Sequence, residues 1–322
     1  MKIAVISDIH GNIHALRAVI SDAERAGAAR FILLGDYYLD MPFPNEVGKE
    51  LRGIDILAMV RGNKEDYLRD IDLSDDSRAS LQFGSIYWNC DNMTRENMEF
   101  YTMLPREISM DIKGGPVWAF HIPGQLLGGT GAMRFGCGRF YWRMKENPFT
   151  HKEYLAFVDS LLSEDEGVEA LPRGVYLFGH THVQWYWQGN GKLLLNPGSC
   201  GMPLDFNRDA AYSLIEYIDG EWAVEERRVS YDLTAAINAL RDSGLYKASA
   251  GLSDVVIDQL LTAQERASFL LSFAEKFTAE ESGTGPGKGA RDIEQPFSNH
   301  IWLKACAAYK AQKFDMAGIP PL

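Results

Sequence analysis

The chain has 322 residues, enough to bury a large core as one domain or as one domain with an appendage. A formal charge of −12 leaves no basic surplus for broad nucleic-acid or anionic-membrane binding, and no apolar run approaches the ~20 residues of a membrane span. The four cysteines, Cys90, Cys137, Cys200 and Cys306, stand far apart with no C-x-x-C pair, which argues against a disulfide framework or structural zinc site. Met1 leads straight into a strand pattern rather than a signal peptide, so a reducing, cytoplasmic setting is expected.

Ile3, Ala4, Val5 and Ile6 form an unbroken apolar run, which predicts a strand buried on both faces. It ends in Ser7-Asp8-Ile9-His10-Gly11-Asn12. In extended chain Asp8 and His10 point the same way. Gly11 permits a tight turn, and Asn12 suits the N-cap of a helix over 13–27. A second buried strand over 31–34 ends in Gly35-Asp36. A short helix over 46–52 follows, and a third strand ends in Gly62-Asn63-Lys64-Glu65. Strands alternating with helices in this way predict a mainly parallel sheet.

Residues 67–104 read instead as three helices with no strand between them, placed to cap the sheet ends. Asp91 and Thr94 there resemble helix-start residues. A hairpin over 106–124 turns at 113–116, and its second strand ends in His121. The glycine-rich stretch 124–150 carries Arg134, Arg139 and Arg143. It reads as a substrate loop or as an ordinary surface loop.

A helix over 151–162 is followed by a strand, the turn Gly179-His180-Thr181-His182, and another strand. A further strand ends in Asn196-Pro197-Gly198-Ser199. A second hairpin turns at Asp219-Gly220, and its outer strand alternates as if one face were solvated. Asp232 caps a helix that Gly244 stops. Beyond it the pattern predicts one long helix over 253–277, a polar linker over 280–295 and a last helix over 296–314. The GPGKG at 285–289 has no strand before it and no Ser or Thr after its lysine, so it is not a phosphate loop. The apolar faces of these helices should pack on the domain or form a homo-oligomer contact.

Five strand ends thus offer Asp8 and His10, Asp36, Asn63, His121, and His180 with His182, which takes four of the seven histidines. Such ends converge when they share one edge of the fold. Carboxylates, an amide carbonyl and imidazoles form a hard-to-borderline ligand set. It suits manganese, iron, zinc, cobalt or nickel better than a thiolate site would.

The ordered set Asp8-x-His10, Gly35-Asp36, Gly62-Asn63, His121 and Gly179-His180-x-His182 resembles the calcineurin-like metallophosphoesterases, in their small bacterial and archaeal phosphoesterase branch. The resemblance implies an α/β fold of two packed mixed β-sheets flanked by helices. It also implies two divalent metal ions, with manganese the first expectation. By the same resemblance Asp8, His10 and His182 hold one ion, Asn63, His121 and His180 hold the other, and Asp36 bridges. Two such ions about 3.5–4 Å apart can clamp an in-line displacement at phosphorus and turn a bridging water into hydroxide near neutral pH.

Many relatives carry His immediately after the Gly-Asn motif, where this chain has Lys64. As a point cation Lys64 can stabilise developing negative charge, but it is a poor general acid unless its pKa is lowered. Asp36, Lys64 and His121 are therefore the candidate catalytic residues. His14, one helical turn past His10, is a candidate to support the ligands, and the resemblance implies that Asn196 and Ser199 line the metal cleft. The expected organisation is a metallophosphoesterase domain over 1–247, with a helical insertion at about 66–104, and a helical extension over 248–322. The expected activity is hydrolysis of a phosphodiester, a phosphomonoester or a nucleotide phosphoanhydride in a small phosphorylated substrate. A non-catalytic scaffold with the same fold, or a nuclease, is the alternative.

Overall fold

The apolar run at residues 3–6 becomes β1 (Lys2–Ile6), and both of its faces are covered. Ile3 and Val5 join a core between two sheets, while Ala4 and Ile6 join a core under helices. The computed structural model describes residues 1–71, 73, 78–122, 151–163, 165–249, 251–283 and 296–312.

After β1 come α1 (Ile13–Arg25), β2 (Ala28–Leu33), α2 (Pro44–Leu51), β3 (Ile56–Met59) and α3 (Asn63–Asp70). A 3₁₀ turn (Leu81–Phe83), α4 (Gly84–Asn92) and α5 (Arg95–Thr102) form a helical segment between β3 and β4. The chain continues through β4 (Glu107–Ile112), β5 (Gly115–Phe120), α6 (His151–Leu162), α7 (Glu166–Glu169) and β6 (Gly174–Leu177). Next are β7 (Gln184–Gly189), β8 (Lys192–Pro197), β9 (Ala210–Ile218) and β10 (Glu221–Val229). The helices α8 (Leu233–Asp242), α9 (Gly244–Ala248), α10 (Leu252–Thr262), α11 (Ala267–Ser282) and α12 (Asn299–Ala311) follow.

The strands form two mixed five-stranded sheets, ordered β10-β9-β1-β2-β3 and β4-β5-β6-β8-β7. β1, β2 and β3 run parallel in the first sheet; β5, β6 and β8 run parallel in the second. Val117, Ala119, Val175, Leu177, Leu193 and Leu195 of the second sheet meet Ile3, Val5, Ile32 and Ile215 of the first. Helix α1 covers the outside of one sheet through Leu16 and Val19. Helix α6 covers the other through Tyr154 and Val158, against Trp185 and Phe178. This four-layer arrangement is why the central strands read as apolar on both faces.

Three local expectations need correction. The long helix over 253–277 is two helices, because the chain breaks at Ala263, whose φ is 48°. Gln259 causes the next start: its Oε1 accepts from the Arg266 and Ala267 amides at 3.0 and 3.2 Å. No glycine or proline marks that break. Asp232 caps α8, which does stop at Asp242 just before Gly244, but Gly244 itself begins a further helix. Ser243 accepts from the Tyr246 amide at 3.2 Å and caps α9, which Gly244 begins. Thr94 does cap α5, but Asp91 lies in the last turn of α4 and pairs with Arg78.

The C-terminal helices pack on the rest of the chain. Ile237, Leu240, Val256, Ile257 and Leu260 cluster with Met41 and Met202. Leu270, Ile301, Trp302 and Tyr309 form a second cluster with Val255, and Leu81 of the helical segment between β3 and β4 packs against it. Each fully buried side chain of this kind contributes roughly 1.5–3 kcal/mol. The Phe297 amide donates to Gln82 Oε1 at 2.9 Å and the Leu81 amide to Asn299 Oδ1 at 2.8 Å, which ties α12 to that segment. Among the described residues no helix is long and apolar enough to cross a membrane. The stretch 124–150 with its arginines, the GPGKG and most of the 280–295 linker lie outside the described residues.

Candidate metal centre

The C-terminal ends of β1, β2, β3, β5 and β6 meet at one edge of the two sheets. Asp8 and His10 lie past the end of β1, so they are not in extended chain. Their φ values are 54° and 52°, and Asp36, His180 and His182 are also left-handed at 56°, 70° and 57°. Such conformations are costly outside glycine and persist only where surrounding structure fixes them. Here the backbone is interlocked. The Asp8 amide donates to Gly35 O at 3.0 Å and the His10 amide to Asp36 O at 2.9 Å. The Gly179 amide donates to His121 O at 3.0 Å and the Gly201 amide to Asp8 O at 2.9 Å. A Cβ on Gly179 would run into Ser7 Oγ, and one on Gly62 into the Asp36 carboxylate, so both positions need glycine.

Imidazole orientation is set from behind. His121 Nδ1 lies 2.7 Å from Leu34 O, and His182 Nδ1 lies 2.7 Å from Met202 O. A carbonyl oxygen only accepts, so both rings carry hydrogen on Nδ1 and turn Nε2 inward. His10 Nδ1 lies 2.5 Å from Asp40 Oδ2, an anchor of the same kind.

Inward-facing atoms then crowd together. His10 Nε2 is 3.1 Å from His182 Nε2, and His121 Nε2 is 3.1 Å from Asn63 Oδ1. Asp8 Oδ1 is buried without a hydrogen bond and faces His182, His10 and His121 Nε2 at 3.3, 3.8 and 3.9 Å. Asp36 Oδ2 faces His121 and His10 Nε2 at 3.4 and 3.8 Å. Two ligand groups emerge, Asp8 with His10 and His182, and Asp36 with His121 and His180, each with its atoms within 4.8 Å of one another. An orphaned buried carboxylate oxygen ringed by imidazole nitrogens fits a divalent cation.

The titration of the cluster agrees. Burial opposes charge on His10, but the Asp40 hydrogen bond, Asp8 and Asp36 outweigh it and raise its pKa to about 10. Burial is likewise outweighed at His121, where Asp36 and Asp8 raise it to about 9. Burial and the charge of His121 hold His180 down to about 4, so it stays neutral. Burial alone would raise Asp8, yet His182 and His121 hold its carboxyl well below the usual range. The extra protons on His10 and His121 therefore stand where cations would bind. Loading manganese or zinc near pH 7.5 should displace them, and affinity should rise as pH climbs toward 9–10. Calorimetric titration in two buffers of different ionisation heat should reveal at least about one proton released per protein. A heat independent of buffer would contradict this reading.

Every sequence-predicted ligand lies in this cluster, with Asn63 at the start of α3. The Lys64 amide donates to Asp36 Oδ1 at 2.9 Å, and its ammonium lies 5.5 Å from the centre of the Tyr67 ring. Burial disfavours its charge, but Asp40 and Asp36 outweigh that and push its pKa up. The Lys64 ammonium is thus held in its charged form beside Asp40 and Asp36. His14 lies outside the cluster, edge-on to Phe43. Asn196 and Ser199 brace the site from below: Asn196 Nδ2 donates to Gly179 O at 2.7 Å and Ser199 Oγ to Asp8 O at 2.7 Å.

Asp40 and Glu65 were not singled out by sequence reasoning. Glu65 is fully buried, and its carboxylate accepts from the Gly62, Asp36 and Tyr37 amides at 2.6, 2.9 and 2.9 Å. Burial and the Asp36 charge push it up to about 7, against those three donors. An acidic residue at the third position of α3 was the available signal, since it returns to the amide at the helix start. Asp40 lies in a loop and carries no comparable pattern. Above the cluster opens a cavity of about 340 Å³, floored by His10, Asp36, Asn63, Lys64, His180 and His182.

Fold and site together define a protein with two groups of candidate metal ligands between the strand ends of two packed sheets. The model of the calcineurin-like phosphoesterase superfamily domain matches residues 1–219, and the chain belongs to that family. An uncharacterized protein of Methanocaldococcus jannaschii is 27% identical over 252 residues, spanning 73% of this chain and 89% of its own. A metallophosphoesterase from Sphaerobacter thermophilus shares the fold with a TM-score of 0.58 at 22% identity, covering 82% of this chain and all of that one. A hypothetical protein from Pyrococcus horikoshii OT3 does so with a TM-score of 0.55 at 17% identity, covering 82% and 99%.

Proposed function

We propose that this protein hydrolyses a phosphoester with the help of two divalent cations, manganese first among them. The observation that carries the reading is Asp8 Oδ1, buried without a hydrogen bond among three imidazole Nε2 atoms. Asp8, His10 and His182 would hold one cation; Asn63, His121 and His180 would hold the other; and Asp36 would serve both. When bound, such a pair supplies positive charge to a phosphoryl group and lowers the pKa of a water.

The chain's own residues supply the rest. Asp40, Leu34 O and Met202 O fix three rings in the tautomer that presents Nε2. Asn63 offers a neutral oxygen, which limits the negative charge around the reacting centre. Lys64 offers a fixed positive charge at the cavity floor, able to hold a phosphoryl oxygen as charge develops. No neutral acid stands in its place, so esters with acidic leaving groups should react fastest.

The test is hydrolysis of a p-nitrophenyl phosphodiester and a p-nitrophenyl phosphomonoester by chelator-treated protein with manganese, zinc, nickel, cobalt or iron added back. Turnover that depends on the added metal is expected. A folded, metal-loaded sample inert toward both would point to a binding scaffold instead.

A further inference from the structure

The cavity over the metal ligands has two chemically different halves. Its floor is the charged and imidazole surface already described. Its wall includes Phe83, Ile86, Leu252, Val256, Leu271 and Trp302. None of these six comes from either sheet: Phe83 and Ile86 belong to the helical segment between β3 and β4, the others to α10, α11 and α12. Four of them lie beyond residue 219, where the family match ends.

The wall is built rather than loosely laid on. Gln259 receives the two amides that begin α11, and its Nε2 donates to the Met202 sulfur at 3.0 Å. Met202 O is also the acceptor that orients His182. The C-terminal helices are therefore joined to a metal ligand through one residue. Tyr309 OH donates to Asp258 at 2.8 Å, and Lys310 pairs with Asp254 at 2.8 Å, which fixes α12 on α10.

At about 340 Å³ the cavity holds more than a phosphoryl group and falls at the small end of ordinary ligand pockets. Gln82, Gln259 and Glu265 also line the cavity, but they already accept from the Phe297, Arg266, Ala267 and Ser268 amides, so a sugar or other polyhydroxy substituent would press most of its hydroxyls against aliphatic and aromatic side chains. An apolar ring or branched chain would instead be removed from water.

We propose, building on the phosphoesterase reading, that the cavity takes a phosphoester whose organic group is apolar and about ring-sized. Phe83, Ile86, Leu252, Val256, Leu271 and Trp302 select that group, while the floor receives the phosphoryl end.

The test uses full-length, metal-loaded protein and phosphonates that cannot be hydrolysed: methyl-, butyl- and phenylphosphonate, compared by calorimetry. Affinity should rise along the series by about tenfold from methyl to phenyl. Leu271→Asp, at a half-buried wall position, should flatten the series. If that variant fails to fold, the wild-type series decides alone. Equal affinity across the series, or no binding by any member, overturns the proposal. A phenyl preference without turnover of any ester would uphold the ligand class and defeat the hydrolase reading. Turnover without such a preference would do the reverse.

Discussion

Asp36→Asn is expected to lower metal-dependent phosphoester turnover by roughly 10²–10³-fold and to reduce the metal content of the purified protein. Its two carboxylate oxygens are committed in different directions. Oδ1 takes the Lys64 amide at 2.9 Å, and Oδ2 faces the Nε2 atoms of His121 and His10 at 3.4 and 3.8 Å. Burial would raise its pKa, but His121, His10 and Lys64 hold the carboxyl well below the usual carboxylate range. The group is thus ionised wherever the protein works. Asparagine keeps the shape but removes the charge, and in either amide orientation one oxygen acceptor becomes a donor. The side chain then cannot offer an anionic oxygen toward both ligand groups. Turnover with a p-nitrophenyl ester and metal content by elemental analysis read the two effects. A variant with wild-type turnover and full metal content would remove Asp36 from the centre of the mechanism.

Glu65→Ala should destabilise the fold by roughly 3–5 kcal/mol, measured by urea unfolding of metal-free protein. The wild-type carboxylate serves three buried amides, those of Gly62, Asp36 and Tyr37. Deleting it strands all three, at about 1–3 kcal/mol each before water enters the space left behind. Glu65→Gln retains one good acceptor and should lose less. Because the Asp36 amide is among the three, the alanine variant should also bind metal more weakly. A loss below about 1 kcal/mol would show that water replaces the carboxylate without penalty.

Much of this arrangement can be read from the chain. The runs at 3–6 and 31–34 give central strands because both sheet faces are covered, and the seven candidate ligands announce themselves by falling at strand ends. What escapes is the support behind them. Asp40 reaches His10 across a loop whose path no periodicity encodes. Glu65 looks like a solvated acid beside Lys64 until the fold buries it under three amides. The break at Ala263 depends on Gln259 bonding to amides seven and eight residues on, a tertiary choice that overrides an apolar pattern continuous across it. The cavity wall is hidden for the same reason. Phe83 and Trp302 are more than two hundred residues apart and meet only after the last helix docks.

The left-handed backbone at Asp8, His10, Asp36, His180 and His182 narrows what drift can do to this centre. Apart from glycine, the side chains that tolerate such a conformation best are aspartate, asparagine and histidine, which are also the ones able to ligate. A descendant that gave up cation binding would therefore still favour asparagine or glycine at these five positions. The fossil of a lost centre in this fold would be a set of amides and glycines at strand ends, and their presence alone would not show that chemistry survives there.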